Sequence, residues 1–141
     1  MTRQEVESLF KRRMDAQNRH DVVGLSALYT DDCVLDSPTA GGAVQGPAAI
    51  QTVHKAWATG FPDVVFTSKE LLIDGDRVAQ VMEAAGTDIG GFMGLAPTGK
   101  AFRTPIVIVC TLRDGKIQHE RRIYDFTGLL IQIGVLKAKP G

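Results

Sequence analysis

Glu120, Arg122 and Tyr124 occupy alternate positions near the end of the run Lys116 to Tyr124. In extended chain, side chains two apart share a face, so these three point the same way, together with Gln118. Ile117, His119, Arg121 and Ile123 take the other face. A carboxylate, a guanidinium and a phenol in one row either meet solvent or line a wet cavity inside a curved sheet. In a low-dielectric pocket, Arg122 is an oriented hydrogen-bond donor able to stabilise an enolate, alkoxide or carboxylate, but it is no general base near neutrality. Alternatively it forms a structural ion pair with Glu120 or another acid, because buried charges are normally matched. The Tyr124 hydroxyl either donates to a ligand oxygen or is satisfied by protein.

Groups that could carry a proton are fewer. Glu83 interrupts the small apolar face of Ala79, Val81 and Ala85; burial there raises a carboxyl pKa toward that of a base, whereas a twisted strand exposes it. His54 is in register with Ile50 and close to Trp57, as either a core histidine or a proton carrier. Asp36 and Ser37 end a short strand before Pro38, and only one of them can face inward. Asp125, ahead of Phe126-Thr127-Gly128, is placed to cap a helix. Asp31 and Asp32 read as turn residues, and His20 and His119 as surface residues.

These side chains must be held by a chain of 141 residues, a length that suits one domain, 1–141, with a real core. Lys+Arg and Asp+Glu are 16 each, so no global field draws nucleic acid or a membrane surface, and neither partner is expected. Cys33 and Cys110 lie in apolar runs without C-x-x-C spacing and read as two reduced core thiols. The N-terminus is polar and no apolar run is long enough to span a bilayer, which points to a soluble cytoplasmic protein. No metal site or cofactor is expected: the histidines lack ligand spacing, and Gly90-Gly91-Phe92-Met93-Gly94 has neither the lysine of a phosphate loop nor the spacing of a dinucleotide fingerprint.

The elements follow from pattern. Thr2 and Glu5 form a capping-box pair ahead of Val6, Leu9, Phe10 and Met14 at helical spacing, predicting a helix to about Arg19. Asp21 caps a second, short helix carrying Val22, Val23, Leu25 and Leu28. Cys33 to Ser37 is a short strand and Thr39 to Gln45 a loop. Pro47 opens a third helix with Ile50, Val53, His54 and Trp57 on its buried side. Extended runs follow: Val64 to Ile73 and Arg77 to Ala85 around Asp74-Gly75-Asp76, then a glycine-rich loop over Thr87 to Thr98. Ala101 to Arg113, apolar on both faces at its centre, turns at Asp114-Gly115 into the polar-faced run. Helices first and antiparallel strands after give an α+β domain, three N-terminal helices on one face of a curved antiparallel sheet, enclosing a cone-shaped pocket.

Several stretches, in order, resemble the landmarks of SnoaL-like polyketide cyclases: Leu28-Tyr29-Thr30-Asp31-Asp32, Gly46-Pro47-Ala48-Ala49-Ile50, Phe61-Pro62-Asp63, Phe92 to Lys100, Asp114-Gly115-Lys116-Ile117, and the tail Asp125 to Gly134. The resemblance implies the fold shared by nuclear transport factor 2 and ketosteroid isomerase, a deep apolar cavity, and a homodimer formed through the sheet. It also implies substitutions in the reagents. The acid/base aspartate of the family cyclases falls at Arg122. A histidine of many relatives falls at Asp88, and the histidine facing that aspartate falls at Ile108. The general-base aspartate of the isomerases falls at Ser37.

The leading expectation is a cofactor-independent cyclase or isomerase acting on an apolar, carbonyl-bearing small molecule, polyketide-like or steroid-like. Arg122 and Tyr124 would hold the oxyanion while Glu83, His54 or a first-strand acid moves the proton. Asp36, Ser37, Trp57, Asp88, Ile108 and Glu120 are expected around the ligand. The alternatives are a non-catalytic small-molecule-binding member of the fold and, ranked lower, an epoxide hydrolase.

Overall fold

A computed structural model describes residues 1–138. Helix α1 (Arg3–Asn18) begins at the expected capping box: the Thr2 hydroxyl accepts from the Glu5 amide at 3.1 Å and the Thr2 amide donates to the Glu5 carboxylate at 3.0 Å. Helix α2 (Val22–Ser26) starts at Asp21, whose carboxylate accepts from the Gly24 amide at 2.9 Å. Then come strands β1 (Tyr29–Ser37) and β2 (Gly42–Gln45), helix α3 (Pro47–Gly60), and strands β3 (Val65–Asp74), β4 (Arg77–Thr87), β5 (Ala101–Arg113) and β6 (Lys116–Ile123). Helix α4 (Phe126–Gln132) closes the order, its first turn capped by Asp125 on the Gly128 amide at 2.8 Å. A Cβ at Gly128 would sit 2.2 Å from Asp125 Oδ2, the other oxygen of the capping carboxylate, so a side chain there would push that carboxylate out of its capping position.

The six strands form one curved, unclosed sheet in the order β2-β1-β6-β5-β4-β3. It departs from the expected wholly antiparallel sheet in one place, since β1 runs parallel to β6. Gly42–Gln45, expected as loop, is instead an edge strand paired with β1. Its glycines hid it, but the edge needs partners for the β1 backbone and supplies them. Asp114 and Gly115, at φ 53° and 75°, make the tight β5–β6 hairpin. A bulge in β6 opposite Thr111 and Leu112 inserts Gln118 as an extra residue. It turns Ile117 to the interior, where alternation alone had placed it opposite Glu120.

Helices α1 and α3 cover the concave face, and α2 packs against both. At one end the core is aromatic. Trp57 has ring centroids of Phe61, Phe92 and Tyr124 at 5.6, 5.5 and 5.7 Å, and Phe61 stacks on Phe92 at 4.6 Å. These rings fill the space in which an open cone would hold its cavity.

Phe61 is fully buried among Trp57, Phe92 and Phe102. Phe61→Ala should therefore cost about 3–5 kcal/mol. Urea denaturation followed by the emission of Trp57, the sole tryptophan, measures it. A loss below about 1 kcal/mol would mean that this wall is not packed as described.

Candidate active site

A buried carboxylate organises the interior. Glu120 Oε1 accepts from the Tyr29 hydroxyl at 2.5 Å and from Arg13 Nε at 3.2 Å, while Oε2 accepts from Arg122 Nε at 2.8 Å. Arg13 Nη2 also lies 3.0 Å from Oε1, though too poorly aligned to count as hydrogen-bonded. Arg13 Nη1 donates to Gln17 Oε1 at 3.1 Å, so one helical face of α1 feeds two polar side chains into the core. From α3, His54 Nε2 meets Arg122 Nη2. A guanidinium only donates, so Nε2 is the acceptor and the neutral ring carries its proton on Nδ1.

The electrostatics fix each protonation state. Burial pushes the Glu120 carboxyl up, but Arg13 and Arg122, with hydrogen bonds from Tyr29 and Arg122, outweigh it and hold the pKa at about 2. Burial, then the charges of Arg122 and Arg13, drive His54 well below its ordinary 6.5. Burial works against the charge on Arg13, yet neighbouring Glu120 and Tyr29 leave its pKa raised. Burial lifts Tyr29 well above its ordinary value despite Arg13 beside it. Two guanidinium cations thus face one carboxylate, with neutral groups around them. The cluster carries a net positive charge out of water.

Tyr124 continues the same face of the chain. Its buried hydroxyl makes no hydrogen bond among the described residues, and burial raises its pKa, although the nearby Thr39 and Ser37 hydroxyls and Arg122 oppose the rise. The indole N–H of Trp57 is likewise buried without a partner among the described residues. Both residues line a void with Arg13, Gln17, Phe66, Met82, Ile106, Ile108 and Arg122. Its volume of about 10 Å³ holds one water at most. The deep apolar pocket expected from the sequence is therefore closed here, plugged by Trp57 and its aromatic neighbours. Trp57 also walls a second, larger space of about 430 Å³, an apolar groove along the Ala49, Thr52, Val53 and Ala56 face of α3, bordered by Thr39, Ala40, Val44, Phe92 and Met93.

The structure brings together Arg122, Tyr124, His54, Glu120, Trp57 and Ile108, with Ser37 buried nearby and hydrogen-bonded to Thr39 at 3.0 Å. Three other candidates lie elsewhere. Glu83 faces the outer side of the sheet and pairs with Arg103, because β4 alternates regularly and its inner face is Val78, Gln80, Met82 and Ala84. Asp36 points outward to His119 Nε2 at 2.8 Å, since Ser37 takes the inner position. Asp88 is buried, but its carboxylate staples the 88–99 loop by accepting from the Gly91 amide at 3.2 Å and the Thr98 amide at 3.0 Å. Arg13, Gln17 and Tyr29 escaped the sequence reading. Arg13 was legible in principle: it stands four residues after Leu9 and three after Phe10, on the apolar stripe itself.

The model of the SnoaL-like polyketide cyclase family matches residues 8–133. No curated protein matches the chain. Among solved structures, TsrD from Streptomyces laurentii superposes with a TM-score of 0.86 at 22% identity, over 96% of this chain and 99% of that one. AclR from Streptomyces galilaeus, described as a candidate hydroxylase, reaches 0.85 at 27% identity over 99% and 87%. IdmH from Streptomyces antibioticus, described as a candidate polyketide cyclase, reaches 0.77 at 27% identity over 91% and 97%.

His54 and Glu120 both have depressed pKa values, so each contributes stability that is full above its ordinary pKa and lost as pH falls below it. The His54 contribution starts to fall below its ordinary 6.5, and that of Glu120 below 4.5 toward about 2. The Glu120 window corresponds to roughly 3 kcal/mol. Melting temperatures from circular dichroism between about pH 8 and pH 3 should fall in two stages, with His54→Gln removing the upper stage alone. A single stage in both proteins would contradict the neutral, buried histidine.

Proposed function

The chain belongs to the SnoaL-like polyketide cyclase family, and from that premise we propose a cofactor-independent cyclase or isomerase acting on a mostly apolar, carbonyl-bearing small molecule, polyketide-like or steroid-like. The observation that carries this reading is the juxtaposition of Arg122, fixed through Nε by Glu120, with neutral His54 and the unpartnered Tyr124 hydroxyl. A carbonyl oxygen that takes over a guanidinium N–H of Arg122, with the Tyr124 hydroxyl beside it, polarises the adjacent C–H bond. It also releases His54 Nε2 from that donor. The imidazole then takes the α-proton, its electron pair forming an enolate on the held oxygen. In cyclisation the enolate carbon bonds to a second carbonyl carbon, and the new alkoxide receives the proton back from His54. In isomerisation the proton returns to a different carbon. No electrons leave the substrate in either course.

Glu120 is unsuited to the base role. A carboxylate held near 2 by its donors binds protons too weakly at neutral pH. Its part is to fix Arg122. Epoxide hydrolysis on this fold calls for an acid where Arg122 stands, and no contact here favours it. Binding without turnover is the second reading, supported by the one-water void and by the depressed pKa of His54.

Arg122→Ala leaves Glu120 still paired with Arg13, so the variant should fold. With a panel of cyclic and polyketide-like ketones, we expect kcat/KM to drop by about 10²–10³. Equal turnover by variant and wild type would remove Arg122 from the mechanism. Ligand retained without product in mass spectrometry would favour binding alone.

The homodimer is proposed through the outer face of the sheet. Val81, Val107 and Ile123 lie in register across β4, β5 and β6, and Ile123 and nearby Leu72 are 49% and 54% exposed. An apolar row of this kind calls for a cover, and a second copy offers the same row. Light scattering should give twice the chain mass for wild type and the single mass for Val107→Lys; a wild-type monomer would overturn the assignment.

A further inference from the structure

The reading of the interior as a carbonyl site leaves two features unused: its excess positive charge and the groove on the far side of Trp57. Within the cluster, Arg13 and Arg122 face Glu120 alone, and His54, Tyr29 and Tyr124 add no negative charge. A buried cation without a full counter-charge is costly, and the cost falls when an anion arrives. The partnerless groups near it, the Trp57 N–H and the Tyr124 O–H, offer donors. A water-sized void cannot take more than one or two atoms of a ligand, so the rest of the molecule must lie elsewhere.

The groove supplies that place. At about 430 Å³ it lies within the usual range for small-molecule sites, and its lining of Ala40, Val44, Ala49, Val53 and Phe92 is apolar. It touches the inner chamber through two shared features. Trp57 lines both spaces, and Thr39 at the groove rim lies close to the Tyr124 hydroxyl. The indole is thus the partition between an apolar trough and a positively charged, donor-rich end.

Resting on the cyclase reading and deepening it, we propose that the ligand is an apolar organic acid lying in the α3 groove. Its single anionic oxygen group, a carboxylate or ionised enol, enters past Trp57 to the Arg122–Tyr124 end. Trp57 is then the specificity-determining residue. Its ring must turn aside to join the two spaces, and its N–H is placed to donate to the entering oxygen.

Isothermal titration calorimetry with 2-naphthoate and its methyl ester tests this on the full chain, without need of turnover. The acid should bind about tenfold or more tighter than the ester, the margin of one charge-assisted hydrogen bond. Tyr124→Phe and Trp57→Phe should each shrink that ratio, because each removes a hydrogen-bond donor from the end that takes the anionic oxygen. Ala56→Phe, at an exposed helical position lining the groove, should weaken both ligands about tenfold. Equal affinity for acid and ester, or an Ala56→Phe variant that binds both as wild type does, would overturn the proposal. The failure of the cyclase reading looks different: the acid preference intact and no ketone converted. Turnover of ketones without acid preference would retain that reading and discard this one.

Discussion

Three buried residues from three elements meet at one carboxylate. Arg13 of α1, Tyr29 of β1 and Arg122 of β6 all converge on Glu120, also of β6, and His54 of α3 leans on the second guanidinium. Loss of Glu120 would leave two buried guanidinium cations unmatched in low dielectric, where an uncompensated charge costs about 3–5 kcal/mol. The cluster therefore does two jobs. It ties the first helix to the last strand across a sequence separation of 107 residues, and it freezes the orientation of Arg122. A guanidinium clamped through Nε keeps its other N–H groups directed elsewhere, which is the preorganisation a catalytic donor needs.

The surroundings of that cluster explain why its charges persist. Aromatic rings from α3, the 88–99 loop, β5 and the chain before α4 close the end of the cone around Trp57. The loop is held there by Asp88 within and by Gly90 against α3, whose amide donates to the Gly60 carbonyl at 3.0 Å. A side chain at Gly90 would put its Cβ 1.8 Å from the Thr59 carbonyl oxygen, so only glycine permits this approach. The wall excludes water, and exclusion strengthens every electrostatic contact inside it. The same packing keeps the chamber at the size of one water, so access and electrostatic strength are opposed in this fold.

Read from its residues alone, the chain disclosed its helices, hairpins and caps, because these depend on local spacing: Thr2 with Glu5, Asp21 with Gly24, Asp125 with Gly128. It also disclosed that Glu120, Arg122 and Tyr124 share a face, since alternation is a property of extended chain. The inward position of Ser37 and the outward position of Glu83 required the register of β1 and β4 in the finished sheet. The bulge at Gln118 could not be foreseen, because it exists only where β6 meets the longer β5 and turns Ile117 inward.

What the sequence determined by itself was the architecture and the identity of one polar row, for both follow from periodicity and short-range turn chemistry. Which acid pairs with Arg122, and that Arg13 shares that acid, was decided by tertiary structure, because the partners are brought together by helix-on-sheet packing across most of the chain. The closure of the chamber was decided there too. Whether a cone of such helices and strands stands open or filled depends on how a handful of aromatic rings interlock, and ring packing has no signature in the spacing of residues along a chain.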